Sequence, residues 1–136
     1  IRLGMLFGNR YAIALLNKLR LPYNVNTVSQ VAGIEILSCK QALSDRIDTV
    51  IEERCYLISQ LSTFEGIKVY PSEANFILVN FGNYSADLIF SRLLRAGILV
   101  KNVSDQHQLL NGCLRITVGS KEENRKLIET LAKIIL

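Results

Sequence analysis

Apolar positions recur along the 136-residue chain with two different spacings, and the switches between them give an order of elements. Leu3 to Gly8 is short, apolar and closed by glycine, which reads as a strand. Asn9 stands where it can cap a helix whose Ala12, Leu15, Leu16 and Leu19 repeat at helical spacing and which must stop before Pro22. A second helical region starts at Thr27. After it, Ile47, Val50, Ile51, Arg54, Ile58 and Leu61 mark one face of a long amphipathic helix that ends by Gly66.

The pattern then turns to strands. Ile67 to Tyr70 and Phe76 to Phe81 are rich in the aromatic and β-branched residues that suit a pleated surface, and Pro71 to Asn75 separates them. A hairpin and an offset neighbouring pair both fit. Asn83 or Ser85 can cap a helix through Leu88, Ile89, Leu93 and Leu94 that closes at Gly97, and Ile98 to Val100 resumes as a strand. Leu114 to Val118 supplies one more strand. Ser120 and Glu123 form a capping-box pattern ahead of Leu127, Ile128, Leu131, Ile134 and Ile135. The second part of the chain is therefore expected to be a two-layer α+β domain, with helices covering one sheet face. The first third looks like the tail of another domain, because a lone strand leaves a row of unpaired backbone groups.

Composition narrows the class without changing that order. With 49% hydrophobic and 21% charged residues the chain can bury one good core. No apolar run reaches the roughly 18 residues of a membrane helix, so no membrane role is expected and a cytoplasmic location is. Net charge is +4, but the basic residues are scattered and mix with acids in Lys121-Glu122-Glu123-Asn124-Arg125-Lys126, which reads as a solvated helix face rather than a nucleic-acid footprint. Three cysteines, Cys39, Cys55 and Cys113, lack metal-ligand spacing and are expected to be reduced, buried apolar fillers. Between Lys101 and Gly112 runs a polar loop that holds the only histidine, His107, expected to face solvent.

The most informative chemistry sits in Gly112-Cys113-Leu114-Arg115-Ile116-Thr117-Val118-Gly119-Ser120, where one arginine interrupts an apolar strand just before a capped helix. A guanidinium in such a run needs an anion, and its planar fork suits a carboxylate or phosphate. Snorkelling to water or pairing with a surface acid would also satisfy it.

Four segments in one order carry a resemblance. They are Arg2-Leu3-Gly4, Pro22-Tyr23-Asn24-Val25-Asn26, Tyr70-Pro71-Ser72-Glu73-Ala74-Asn75-Phe76 and Leu114-Arg115-Ile116-Thr117-Val118-Gly119. The chain resembles the C-terminal part of the histidinol-phosphate aminotransferases, pyridoxal-phosphate enzymes of the aspartate-aminotransferase fold type. The resemblance implies that residues 1–35 are the remnant of a cofactor-binding large domain and residues 36–136 the small C-terminal domain of a fold-type I transferase, its helices on one face of a mainly antiparallel sheet. It implies pyridoxal 5'-phosphate as cofactor, a small amino-acid or amino-alcohol phosphate as substrate and a homodimeric parent.

By the same resemblance Arg2 contacts the cofactor phosphate and Arg115 pairs with the substrate carboxyl group or its equivalent. A second family arginine is replaced here by Lys101, which keeps the charge but loses the bidentate fork that bears on substrate choice. Tyr23 and Asn24 fall close to the substrate in the family, although Pro22 and Asn24 also fit plain turn chemistry. Asn75 is either a site-edge amide or part of a strand-entry turn. The lysine that bonds covalently to the cofactor lies upstream of Arg2 in the family, so no catalytic residue is expected here and the isolated chain is expected to be inactive. Opening on Ile1 fits a piece of a longer parent. Apolar faces left by the rest of the parent would favour self-association. A broad aromatic aminotransferase or a threonine-phosphate decarboxylase would share these motifs, and a free-standing α+β binding module is the non-enzymatic alternative.

Overall fold

The computed structural model describes residues 2–135, which form two compact units that divide between Arg46 and Ile47. In the first unit, helix α1 spans Arg10–Leu19 and helix α2 spans Thr27–Ser38. Asn9 caps α1 by accepting from the Tyr11 amide at 2.8 Å, and Asn26 caps α2 by accepting from Ser29 N–H at 2.9 Å. Helix α3, Lys40–Leu61, begins in this unit and continues into the second. The strand expected over Leu3 to Gly8 does not form: residues 2–9 take no regular secondary structure. A strand needs a neighbour to hydrogen-bond, and no described segment pairs with this one.

In the second unit, strands β1 (Lys68–Val69), β2 (Phe76–Asn80), β3 (Lys101–Asn102) and β4 (Cys113–Thr117) make one antiparallel sheet in the order β1-β2-β4-β3. Helix α4 (Ala86–Arg95) joins β2 to β3, and α5 (Lys121–Ile135) follows β4. The third strand falls just beyond the expected Ile98 to Val100, because only Lys101 and Asn102 find partners on β4, at Arg115 and Leu114.

Side-chain alternation sorts the sheet into two faces. Ile77 and Val79 of β2 lie opposite Ile116 and Leu114 of β4, and all four are buried. Leu57 and Leu61 of α3, Ile89 and Leu93 of α4, and Leu127 and Leu131 of α5 pack into the same core, so the helices cover one face only, as the sequence pattern predicts. The buried side of α3 is rotated in part from the expected face, keeping Arg54 and Leu61 and gaining Glu53 and Leu57. Glu53, Arg54, Leu57 and Leu61 turn inward, while Ile47 and Ile51 are exposed. Two buried polar residues account for that rotation, because their hydrogen-bond partners lie on the sheet side. Cys113 is buried as expected, whereas Cys39, between α2 and α3, and Cys55, on α3, are exposed thiols rather than core fillers. No described helix is long and apolar enough to cross a membrane.

Candidate functional site

The sheet face turned away from the helices carries Phe76 and Leu78 of β2, Arg115 and Thr117 of β4, and Lys101 of β3, which the register places in line. Lys101 and Arg115 are direct cross-strand partners. Two cations facing each other across an antiparallel ladder repel and weaken the pairing. Neither side chain forms a hydrogen bond or ion pair with a described residue. Arg115 is half-buried, and its Nε is shut from water without an acceptor. Leaving such a donor unmade costs about 1–3 kcal/mol. An anion bound between the two cations would offset both penalties, which makes this pair the strongest ligand-directed feature of the second unit.

The guanidinium of Arg115 is not free to swing. Its central carbon sits 5.1 Å from the centroid of the Phe76 ring, a cation–π arrangement. On the same face, but on β1 and the chain just after it, the Lys68 ammonium lies 4.9 Å from the Tyr70 ring centroid.

The end of β4 is locked by a buried polar cluster that has no apolar signature in the sequence. Asn124 on α5 accepts from Gly119 N–H at 3.0 Å and donates to Gly119 O at 3.0 Å and to Glu53 Oε2 at 2.8 Å. Asn124 is 2% exposed and Glu53 6%, so the cluster is dry. Beside it the expected capping box forms: Ser120 N–H donates to Glu123 Oε2 at 2.8 Å, and Glu123 N–H to Ser120 Oγ at 3.3 Å. Gly119 suits this crowding, since a Cβ there would stand 2.7 Å from Glu123 Oε2 and 3.1 Å from Glu123 Cβ, and Glu123 would have to shift.

Arg54 serves the other flank. Its guanidinium donates to Ala74 O at 3.1 Å and reaches Glu73 Oε2 at 3.4 Å, pinning the segment between β1 and β2. Asn75 uses its carbonyl to accept from Val118 N–H at 2.9 Å, which places it in the strand-entry turn. At the end of β3, Asn102 donates to Asp87 Oδ1 at 2.5 Å and accepts from Ser104 N–H at 3.0 Å, so the polar loop is tethered at its start. His107 is exposed, and its Nδ1 accepts from Leu109 N–H at 3.2 Å, a turn-capping task.

The remaining expected site residues lie in the first unit. Arg2 is exposed with a left-handed φ of 52°. Tyr23, rather than Asn24, takes the unusual backbone angle of its segment, with φ 57° and 97% exposure. For a bulky residue that conformation is strained, and strain of this kind collects at ligand sites. Asn24 Oδ1 accepts from Arg20 Nη1 at 2.7 Å. Tyr23 and Asn24 line one open pocket together with Leu3, Asn26 and Gln30. Thus Lys101 and Arg115 come together in one unit, and Tyr23 and Asn24 in the other.

Sequence reading missed Phe76 as the ring against Arg115, and Glu53 and Asn124 as the pair that holds the end of β4. Only Asn124 left a trace, as a small polar residue one step past a capping box. Among the described residues no group of His, Cys, Asp and Glu side chains could hold a metal ion.

Comparison with known proteins covers nearly all of the chain. Histidinol-phosphate aminotransferase 2 of Nitrosococcus oceani is 41% identical over 131 residues, 96% of this chain and 36% of that protein. Two solved structures share the fold. One is histidinol-phosphate aminotransferase from Sinorhizobium meliloti in complex with pyridoxal-5'-phosphate (TM-score 0.70, 24% identity, 89% of this chain and 33% of that one). The other is L-threonine-O-3-phosphate decarboxylase from Porphyromonas gingivalis (TM-score 0.75, 21% identity, 92% of this chain and 39% of that one). The chain therefore spans little more than a third of the relatives it matches. The family model for aminotransferase class I and II matches residues 1–131, and a sheet that holds an unpaired arginine on its open face is consistent with it: this chain belongs to that family.

Proposed function

We propose that this chain is the C-terminal part of a pyridoxal-phosphate-dependent aminotransferase that moves an amino group between L-histidinol phosphate and 2-oxoglutarate. The observation that carries the reading is the facing pair Lys101 and Arg115, two cations with no acidic partner among the described residues, on an open sheet face. In this reading residues 36–136 are the small domain, which closes over substrate, and residues 1–35 are the tail of the large domain.

Each residue has a role that its chemistry suits. Arg115 receives the substrate carboxylate through parallel hydrogen bonds, or the equivalent end of an amino-alcohol phosphate, and Lys101 adds a point charge beside it. Arg2 fits a phosphate ligand, being an exposed guanidinium with several donors and no described partner. Tyr23 and Asn24 edge the substrate space, where the tyrosine ring excludes water and the amide offers both a donor and an acceptor. Bound pyridoxal phosphate would supply an electron sink for the carbanion formed as the amino group moves. The chain spans little more than a third of its relatives, and in this reading the lysine that bonds the cofactor belongs to the remainder of the enzyme. The whole enzyme is assigned to the cytoplasm as a homodimer, in keeping with exposed apolar residues such as Val28, Ile34 and Leu15 in the first unit.

The test is product analysis with the full-length protein. Transamination of L-histidinol phosphate with 2-oxoglutarate is expected. Arg115→Gln should lower kcat/KM by roughly 100-fold or more, since it removes a charged fork from a carboxylate. Release of carbon dioxide from O-phospho-threonine, or preference for free aromatic amino acids, would overturn the substrate assignment.

A further inference from the structure

We infer that Phe76 is a positioning residue for Arg115, setting the plane in which the guanidinium meets its anion. The inference deepens the proposed role of Arg115 and rests on it. An aromatic ring at the first residue of β2, 36% exposed on an open sheet face, contributes little to the core, which lies on the opposite face. Its evident neighbour is the guanidinium of Arg115, centred 5.1 Å from the ring.

The backbone under that ring is held more firmly than a surface strand end requires. Phe76 pairs with Thr117 in the ladder, and its carbonyl accepts from Ser72 Oγ at 2.5 Å. Ser72 Oγ also accepts from Ala74 N–H at 3.1 Å, and Ala74 O is the acceptor of buried Arg54. Asn75 O receives Val118 N–H at 2.9 Å. Every residue from Ala74 to Phe76 is thus tied to α3, β4 or its own turn, so the ring can act as a fixed platform.

A ring beneath one face of a guanidinium leaves the edge as the direction of approach. Edge-on contact is what a bidentate carboxylate needs. Stacking also restrains the long arginine side chain, so less rotamer freedom is lost when the anion binds. Like-charge repulsion from Lys101 would otherwise turn the arginine away.

The test uses the full-length protein with Phe76→Leu, Phe76→Tyr and Arg115→Lys, folding being checked by circular dichroism. Phe76→Leu should raise KM for 2-oxoglutarate about two- to fivefold, the ratio such a cation–π contact supplies, with kcat within about twofold. Phe76→Tyr, which keeps the ring, should restore the wild-type KM. In the NMR spectrum the Arg115 Nε–H proton should move downfield in Phe76→Leu and stay in place in Phe76→Tyr, because only the ring current shields it. If Phe76→Leu leaves KM unchanged while Arg115→Lys raises it roughly tenfold, the positioning role is overturned and the carboxylate reading of Arg115 survives. Equal KM changes in the Leu and Tyr variants would also overturn it. An unchanged KM in Arg115→Lys sinks the carboxylate reading, and the role of Phe76 with it.

Discussion

Replacing Asn124 by alanine probes the lock at the end of β4. The amide makes three hydrogen bonds at 2.8–3.0 Å in a site where Asn124 is 2% exposed. Two of these join Gly119, and each neutral bond contributes about 1 kcal/mol. The third joins Glu53, whose buried carboxyl group would lose a donor that water cannot replace. Bonds of that kind are worth about 1.5–3 kcal/mol. The expected loss is therefore about 4 kcal/mol, a large share of the roughly 5–15 kcal/mol that holds a domain folded. Equilibrium urea unfolding followed by circular dichroism would read this as a midpoint lower by about 2 M, given a slope near 2 kcal/mol per M for a small domain. A second arm isolates the carboxyl group. Glu53→Gln should be milder alone, and in combination with Asn124→Ala the total should fall short of the sum by about 1–2 kcal/mol, since the pair is directly bonded. A loss below about 1 kcal/mol for Asn124→Ala would refute the claim that this cluster holds the strand end in place.

Gly119→Ala should cost about 1–2 kcal/mol by pushing Glu123 out of the capping box, measured as a lower Tm; an unchanged Tm would mean the box tolerates a methyl group. Gly82→Ala should be worse, about 2–4 kcal/mol, because its φ is +54° and its Cβ would overlap the Gly66 carbonyl; recovery of wild-type stability would contradict that packing. Glu122, at the start of α5, has its carboxyl held below the usual glutamate range, first by its own backbone N–H and then by the Ser120 hydroxyl. A lowered folded-state value means any stability it gives is present above the unfolded-state value and is lost as pH falls through the folded one. NMR titration should find Glu122 ionising at lower pH than an ordinary glutamate, and Ser120→Ala should move it back up.

Local signals were legible where one residue type has one local job. Asn9, Ser85 and the Ser120–Glu123 box cap helices as their positions predict, because capping needs only atoms within a few residues. Spacing failed where the partner was distant or missing. Leu3 to Gly8 has the composition of a strand but no described neighbour, and β3 starts at Lys101 because pairing with β4, not apolarity, decides where a short edge strand forms. On α3, apolar spacing pointed Ile47, Ile51 and Arg54 inward; Arg54 is buried, with Ala74 there to receive it, but Glu53 rather than the two isoleucines takes the rest of that side, since Asn124 lies there.

The sequence by itself determined the order of elements from α1 onward, the two-layer α+β class and the isolated arginine in an apolar strand, because these depend on periodicity and on residue chemistry. Tertiary structure alone decided that Lys101 stands opposite Arg115, that Phe76 lies beneath its guanidinium and that Asn124 and Glu53 hold the strand end. Those relations join residues 14 to 71 positions apart through strand register and helix packing, distances over which no local pattern in a single chain carries information.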